Sequence, residues 1–420
     1  MNMRYVVFAF FLLFNISVNA QSFYLFKPDR VFDGTVMHAN WWVLVRDSQI
    51  VAAGDPATIQ VPEKVTVIDL KGMTLMPGLI EGHSHLFLLP YNETSWNDQV
   101  LTESGAERTA RAVVHARATL MAGFTTSRDL GTEGAMYDDA GLKEAINKGI
   151  IPGPRLIVAT RAIVATGSYG PKGYNGDIPL GAEEADGMDG LTKAIRSQIG
   201  HGADVIKLYA DYRWGLNKTP APTFTATELK LAVEVAGSSG RYVVVHSGTE
   251  EGMRRAIEAG VRTIEHGDGG TPELFRLMKE KGIALCPTLT ATESIASYKG
   301  WRKGIDQETV AIKQKHKIFN DAMKAGVTIC MGGDVGVFAH GDNSREMLLM
   351  VEYGMKPIEV LHAATAVNAS VFGLPLLGNI RAGYVADLIA VKGDPVADIA
   401  AVKLVSLVMQ NGVMVLDITR

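Results

Sequence analysis

Cysteine is scarce in this chain. There are two, Cys286 and Cys330, among 420 residues. They do not form a C-x-x-C spacing, so a thiolate zinc site and a disulfide-stapled scaffold are both excluded. Two buried free thiols are the expected state. Excess basic charge is also missing. The formal net charge is -4, which argues against a general nucleic-acid binder. Beyond the first twenty residues no apolar run is long enough to span a bilayer. Internal repeats and low-complexity linkers are absent too. What remains is ordinary globular composition, 47% hydrophobic and 20% charged, in a chain long enough for a large α/β domain with a smaller companion.

The leader is different in kind. Arg4 precedes an apolar run from Tyr5 to Phe14, and Val18-Asn19-Ala20 has the small-x-small form of a cleavage site. The run is short for a membrane anchor. Residues 1–20 therefore read as a signal peptide, and the mature chain is expected to be periplasmic or secreted, without a membrane span. No cysteine follows the cleavage site, which argues against a bacterial lipoprotein.

Residues 22–75 are β-rich, with a strand–turn–strand over Val43–Asp55 and a further strand at Val65–Leu70. From residue 79 short apolar runs alternate with helical patterns, the signature of βα units and a parallel sheet. Eight runs are visible: Leu79–Phe87, Phe124–Leu130, Arg155–Val164, Val205–Tyr209, Tyr242–His246, Arg262–His266, Ile283–Pro287 and Val327–Met331. Helices are expected over Ala106–Ala122, Glu183–Gly200, Thr227–Ser238, Glu250–Ala259, Pro272–Lys281 and Thr309–Ala325. The end of the chain returns to strands at Ala386–Val391 and Val405–Gln410. The expected fold class is α/β: a (β/α)8 TIM barrel over residues 76–375, with a small β-sandwich built from residues 22–75 and 376–420. The glycine-rich stretch Gly167–Gly181 is too long for a bare connection and reads as a functional loop.

Chemistry is legible at the strand ends, where barrels carry their active sites. His83 and His85 are one residue apart on an extended segment, so both imidazoles face the same side. Lys207, His246, His266 and Asp334 close other runs. Each has a plainer explanation. A histidine at a strand end is often a hydrogen-bonded structural residue, Lys207 can snorkel its charge to water, and Asp334 can cap the next helix. The joint placement favours a metal site.

The motifs MPGLIEGHSH, GFTTSRDLG, DVIKLYA, VVVHS, TIEHG, GGDVG and NIRAGYVADLIAVKGDP resemble the amidohydrolase superfamily, in its binuclear form with a carboxylated lysine. The resemblance covers the whole mature chain. It implies two divalent metal ions, zinc for preference, with manganese or cobalt as alternatives. His83, His85 and Asp334 would hold one ion, His246 and His266 the other, and Lys207 carboxylated by carbon dioxide would span both. Asp334 would also be catalytic, taking a proton from water and passing it to the leaving amine. The segment Tyr209–Trp214 resembles the branch of prolidase-like dipeptidases and carboxypeptidases, which implies that Tyr209 or Tyr212, with Arg213, binds a substrate carboxylate. That branch carries a TGGHG-like sequence after its third strand. Here it is Thr166-Gly167-Ser168-Tyr169-Gly170, without the histidine, so Tyr169 is the substrate-facing candidate there. His340 lies just beyond Asp334 and is a further substrate-binding candidate. Arg128-Asp129 reads as a structural ion pair, and His38, His115, His201, His316 and His362 as structural or exposed. Trp41, Trp42 and Trp301 read as packing or oligomer-contact residues.

The implied activity is metal-dependent hydrolysis of the amide bond to a C-terminal hydrophobic amino acid, in dipeptides or N-acyl amino acids, including ochratoxin-like phenylalanine amides. The implied partner is a small molecule or short peptide with a free carboxylate, and the implied state a homo-oligomer. A cyclic-amide hydrolase or deaminase on the same scaffold is the enzymatic alternative. A non-catalytic binding protein is the alternative of another class.

Overall fold

A computed structural model of the chain describes residues 22–419. The signal peptide read over residues 1–20 lies outside them. Among the described residues, no helix is long and apolar enough to cross a membrane.

Both ends of the chain meet in one eight-stranded sheet. Its order runs Val413–Asp417, Val405–Gln410, Leu388–Lys392, Thr66–Pro77, Phe23–Phe32, Trp42–Arg46, Gln49–Gly54, with Met37–Ala39 paired off Phe23–Phe32. Strand alternation gives it two apolar faces. Phe26, Val31, Val43 and Val45 belong to one buried cluster. Leu25 and Leu44 belong to another, packed with Ile59 from the loop beyond Gly54. A loop thus takes part in covering the second face, where a sandwich would place a second sheet, and the expected sandwich gives way to one sheet. Asn411 and Gly412, both at positive φ, turn the last hairpin in the manner that Asn-Gly pairs favour.

The 12-residue strand Thr66–Pro77 leads through Gly78 into Leu79–Ser84, the first strand of the parallel layer. Leu79–Ser84, Phe124–Asp129 and Arg155–Val158 pair in parallel as one sheet. A second sheet holds, in order, Glu183–Glu184, Ile163–Val164, Ile206–Tyr209, Val243–Ser247, Thr263–His266 and Ala284–Cys286. The arrangement is barrel-like, but its ladders are not continuous. The run expected as one strand over Arg155–Val164 is broken where Thr160 takes φ +61°, and its two halves join different sheets. The eighth run, Val327–Met331, forms only an isolated bridge, Leu285 to Ile329. Hydrogen bonds still tie the two sheets together. Asp204 N donates to Val158 O (2.8 Å), Cys330 N to Leu285 O (2.8 Å) and Gly82 N to Met331 O (3.1 Å). Gly82 is required at that seam, because a Cβ there would press on the Met331 carbonyl and the Phe372 ring.

The helices follow their end signals. Gly105–Met121 is capped by the Ser104 hydroxyl, Ala226–Gly237 by a Thr225–Glu228 capping box and Val310–Ala325 by Thr309. Glycines in the left-handed region stop Glu250–Ala259, Pro272–Lys281 and Val310–Ala325. The helix expected over Glu183–Gly200 starts at Gly187, because Glu183 and Glu184 are spent as a short strand.

Candidate active site

The strand ends converge on a cavity of about 590 Å3, lined among others by His83, His85, Tyr209, Tyr212, His246, His266 and Asp334. His83 Nε2 lies 3.5 Å and His85 Nε2 3.3 Å from Asp334 Oδ1. The rings of His83 and His266 are 5.2 Å apart, and those of His246 and His266 are 4.5 Å apart. Lys207 is buried beneath them, with Nζ 5.6 Å from the centre of the Tyr209 ring. Backbone strain collects at this rim. His266, Thr288, Asp334 and Glu133 all hold positive φ, between +50° and +70°, a conformation that costs roughly 1–3 kcal/mol per residue and concentrates at functional sites.

Three of the four histidines are aimed by a partner on the far nitrogen. His83 Nδ1 bonds Glu265 Oε2 at 2.8 Å, His85 Nδ1 bonds the Gly131 carbonyl at 2.8 Å, and His266 Nδ1 bonds Thr288 Oγ1 at 2.8 Å. This leaves the Nε2 atoms of His83 and His85 facing Asp334. Burial, with the Lys207 charge, pushes His83 down to about 4. For His85 burial works the other way from its partner, and the Asp334 hydrogen bond and charge win, lifting it to about 9. Asp334 is held at about 2, because its histidine neighbours outweigh burial. Burial also holds the Lys207 amine below the ordinary lysine range.

This donor set fits a divalent metal ion. His83, His266 and Asp334 offer ligand atoms that all lie within 4.8 Å of one another, and nitrogen and oxygen donors of this kind suit zinc-like ions. A depressed lysine amine is the form able to become an anionic carbamate, whereas an ammonium cannot ligate. A second trio, His83, Glu265 and Cys286, is equally close but fits poorly. There His83 and Glu265 are spent on each other and on Arg128, and burial pushes the Cys286 thiol well up. Both cysteines are free and buried.

The other sequence-selected residues divide. Tyr169, Tyr209, Tyr212 and Arg213 line the cavity. The Tyr209 phenol, however, donates to Glu133 Oε1 (3.1 Å) and the Tyr169 phenol to Glu133 Oε2 (2.7 Å). Those hydroxyl protons are already committed, which leaves Tyr212 and Arg213 as the donors for a substrate. His340 does not line the cavity. It sits behind His85, with Nε2 3.2 Å from the His85 carbonyl and its ring stacked 4.2 Å from that of His115. Arg128 and Asp129 are not paired with each other, since successive residues of a strand face opposite ways. Arg128 Nη2 meets Glu265 Oε1 at 2.9 Å, and Asp129 accepts from the Leu86 and Gly131 amides. His38, His201 and His316 stack on Trp41, Tyr137 and Tyr353.

Four functional neighbours escaped the sequence reading: Glu133, Asp211, Glu265 and Thr288. Asp211 accepts from Ser247 Oγ (2.7 Å), Thr249 Oγ1 (2.7 Å) and the Gly248 and Thr249 amides, and so fixes the turn after His246. Glu265 was next to a selected histidine. Its importance depends on Arg128, 137 positions away, which no local pattern reveals. Glu133 stands in the loop after the second strand, where barrel function concentrates, and this was the only signal for it.

The amidohydrolase family model matches residues 74–415. A curated relative, the ochratoxinase of Aspergillus niger, is 34% identical over 77% of this chain and 71% of its own length. Its crystal structure superposes with a TM-score of 0.81 at 28% identity, covering 95% of this chain and 96% of that one. A Xaa-Pro dipeptidase solved with methionine bound in its active site gives a TM-score of 0.83 at 30% identity, over 94% of this chain and 99% of that one. The shared architecture is the TIM-barrel-like, mixed α/β fold of these neighbours. The chain belongs to the amidohydrolase family, whose members are generally metal-dependent hydrolases.

Proposed function

We propose that this chain hydrolyses the amide bond joining an aminoacyl or acyl group to a C-terminal hydrophobic amino acid. Dipeptides and N-acyl amino acids are the substrate class, and phenylalanine amides of the ochratoxin type fall within it. The observation that carries this reading is one cavity lined by His83, His85, His246, His266 and Asp334, with Tyr212 and Arg213 in its wall. The 34% identical ochratoxinase and the Xaa-Pro dipeptidase neighbour support it.

In this reading His83, His85 and Asp334 would hold one divalent ion and His246 and His266 a second, and Lys207 in its carboxylated form would serve both, with zinc the favoured metal. Such ions supply Lewis acidity and activate water near neutral pH. The protein's own part is then defined. Asp334, kept ionised by its two histidine neighbours, accepts a proton from the attacking water and delivers it to the leaving nitrogen. Arg213 and Tyr212 hold the substrate carboxylate at the cavity mouth, Arg213 through its planar fork. The apolar leader, read as a signal peptide, supports a periplasmic or secreted setting for this chemistry, and a homo-oligomer is a separate part of the proposal.

The test is a panel of dipeptides and N-acyl amino acids varied at the C-terminal residue, assayed with zinc and bicarbonate. Turnover should require the free carboxylate, and C-terminally amidated analogues should fail. Arg213→Ala should lower kcat/KM for carboxylate substrates by roughly 10–100-fold, the worth of a charge-assisted hydrogen bond. Unchanged kcat/KM would remove Arg213 from the reading. A metal content below about one ion per chain, under conditions that preserve carbamate, would favour a non-catalytic protein.

A further inference from the structure

Like Asp211, Glu133 is a carboxylate of the cavity wall that accepts hydrogen bonds from neutral donors alone. It is 2% exposed and sits at φ +50°, so the backbone is strained to aim it. Oε2 accepts from Trp96 Nε1 (2.9 Å) and Tyr169 Oη (2.7 Å), and Oε1 accepts from Tyr209 Oη (3.1 Å). Among the described residues no ion pair engages it. Arg108, whose charge is felt there, spends its guanidinium on the carbonyls of Thr132 and Phe87. A buried carboxylate without a cation is expensive to maintain. Oε1 carries one donor and keeps capacity for another.

The surroundings suit a cation. Tyr91, Tyr169, Tyr209 and Tyr212 line the same cavity. The ring centres of Tyr169 lie 4.8 Å from Tyr209 and 4.9 Å from Tyr212. Aromatic faces beside a carboxylate attract an ammonium group. Arg213 lines the same cavity, so the site presents a cation for a carboxylate and an anion for an amine.

We propose that Glu133 binds the free α-ammonium of an aminoacyl substrate, and that the site therefore selects zwitterionic dipeptides over N-acyl amino acids, whose acyl end carries no charge. This rests on the hydrolytic reading above and narrows it. An N-acyl substrate leaves Glu133 without a counter-charge, whereas a dipeptide supplies one. Glu133 also pins the Gly167–Gly181 stretch through Tyr169, and this second role must be separated from the first.

Two substrates differing only in the ammonium decide the matter: Leu-Phe and N-(4-methylpentanoyl)-Phe. They are assayed on the zinc- and bicarbonate-loaded enzyme, and calorimetry compares L-leucinamide with 4-methylpentanamide. Wild type should favour the amine at least roughly tenfold in kcat/KM and in binding, as expected for one charge-assisted contact. Glu133→Gln should bring both ratios close to one by weakening the amine alone. Tyr169→Phe, which removes the loop contact and keeps the charge, should retain the preference whatever it does to the rate. A wild-type ratio near one, or an equal loss on both substrates in Glu133→Gln, would overturn the proposal. If neither substrate turns over, the hydrolytic reading fails, and the calorimetric ratio still decides the ammonium site: a retained preference supports it and equal binding rejects it.

Discussion

Arg128 and Glu265 are both completely buried and lie 2.9 Å apart. Arg128 also donates to the Gly82 carbonyl (2.7 Å), so the pair ties the first strand to the sixth run. For Glu265 burial opposes ionisation, yet the Arg128 charge and the His83 hydrogen bond hold its carboxyl well below the usual range. Its other oxygen fixes the ring of His83. One residue therefore pairs with Arg128 in the core and aims a candidate ligand. Glu265→Gln should cost about 3–5 kcal/mol of stability, since Arg128 is left charged and unpaired in the interior, read as a shift in urea midpoint. The same variant should lose roughly 10–100-fold in zinc affinity, because an orienting partner is gone. Retained affinity and stability together would mean that the pair matters less than its burial implies. The ligand candidates were legible because strand periodicity and strand ends can be read along a sequence. Glu265 was not, because its meaning lies in a contact across the barrel.

Helix Leu289–Tyr298 begins at Thr288, whose own side chain does not cap it because its hydroxyl is given to His266. Glu346, from the helix Arg345–Glu352, does the capping instead. It accepts from the Leu289 amide (2.9 Å), the Thr290 amide (2.7 Å) and the Thr290 hydroxyl (2.7 Å). Burial pushes its carboxyl up from 4.5 to about 7. A carboxyl whose pKa is raised on folding contributes most stability below its unfolded value and loses it as pH rises through the folded value. The stability contributed by Glu346 should therefore decline as pH rises between about 4.5 and 7, and Glu346→Gln should remove that component of the slope in thermal melts. Equal slopes in the two proteins would exclude Glu346 as the titrating group. Neither Leu289–Tyr298 nor Arg345–Glu352 was read from the sequence, although Thr288 and Ser344 stand at their starts; neither side chain caps its helix. The helices that were read carry Ser or Thr at their starts or Gly at their ends.

At the scale of the whole molecule, the terminal sheet and the parallel layer share one apolar core. Phe32, Met76, Ile389, Val391 and Val408 from that sheet belong to the same buried cluster as Leu79, Phe124, Ile206, Ile264 and Met331. A boundary between two domains was drawn at residue 76 from the change in sequence texture. Texture follows local periodicity and says nothing about which faces pack together. Met76 is fully buried, one residue before the end of the strand that feeds the parallel layer. Met76→Ala should therefore cost about 2–5 kcal/mol, and the loss should be felt by both parts of the molecule. Catalytic activity reports the cavity, while tryptophan emission includes Trp41 and Trp42 of the terminal sheet. If the core is mechanically single, the two signals fall at the same urea concentration in wild type and move down together in the variant. A terminal sheet that melts first, leaving activity intact, would show that the shared cluster does not couple them. It would also mean that the sequence boundary at residue 76 marks a real energetic division.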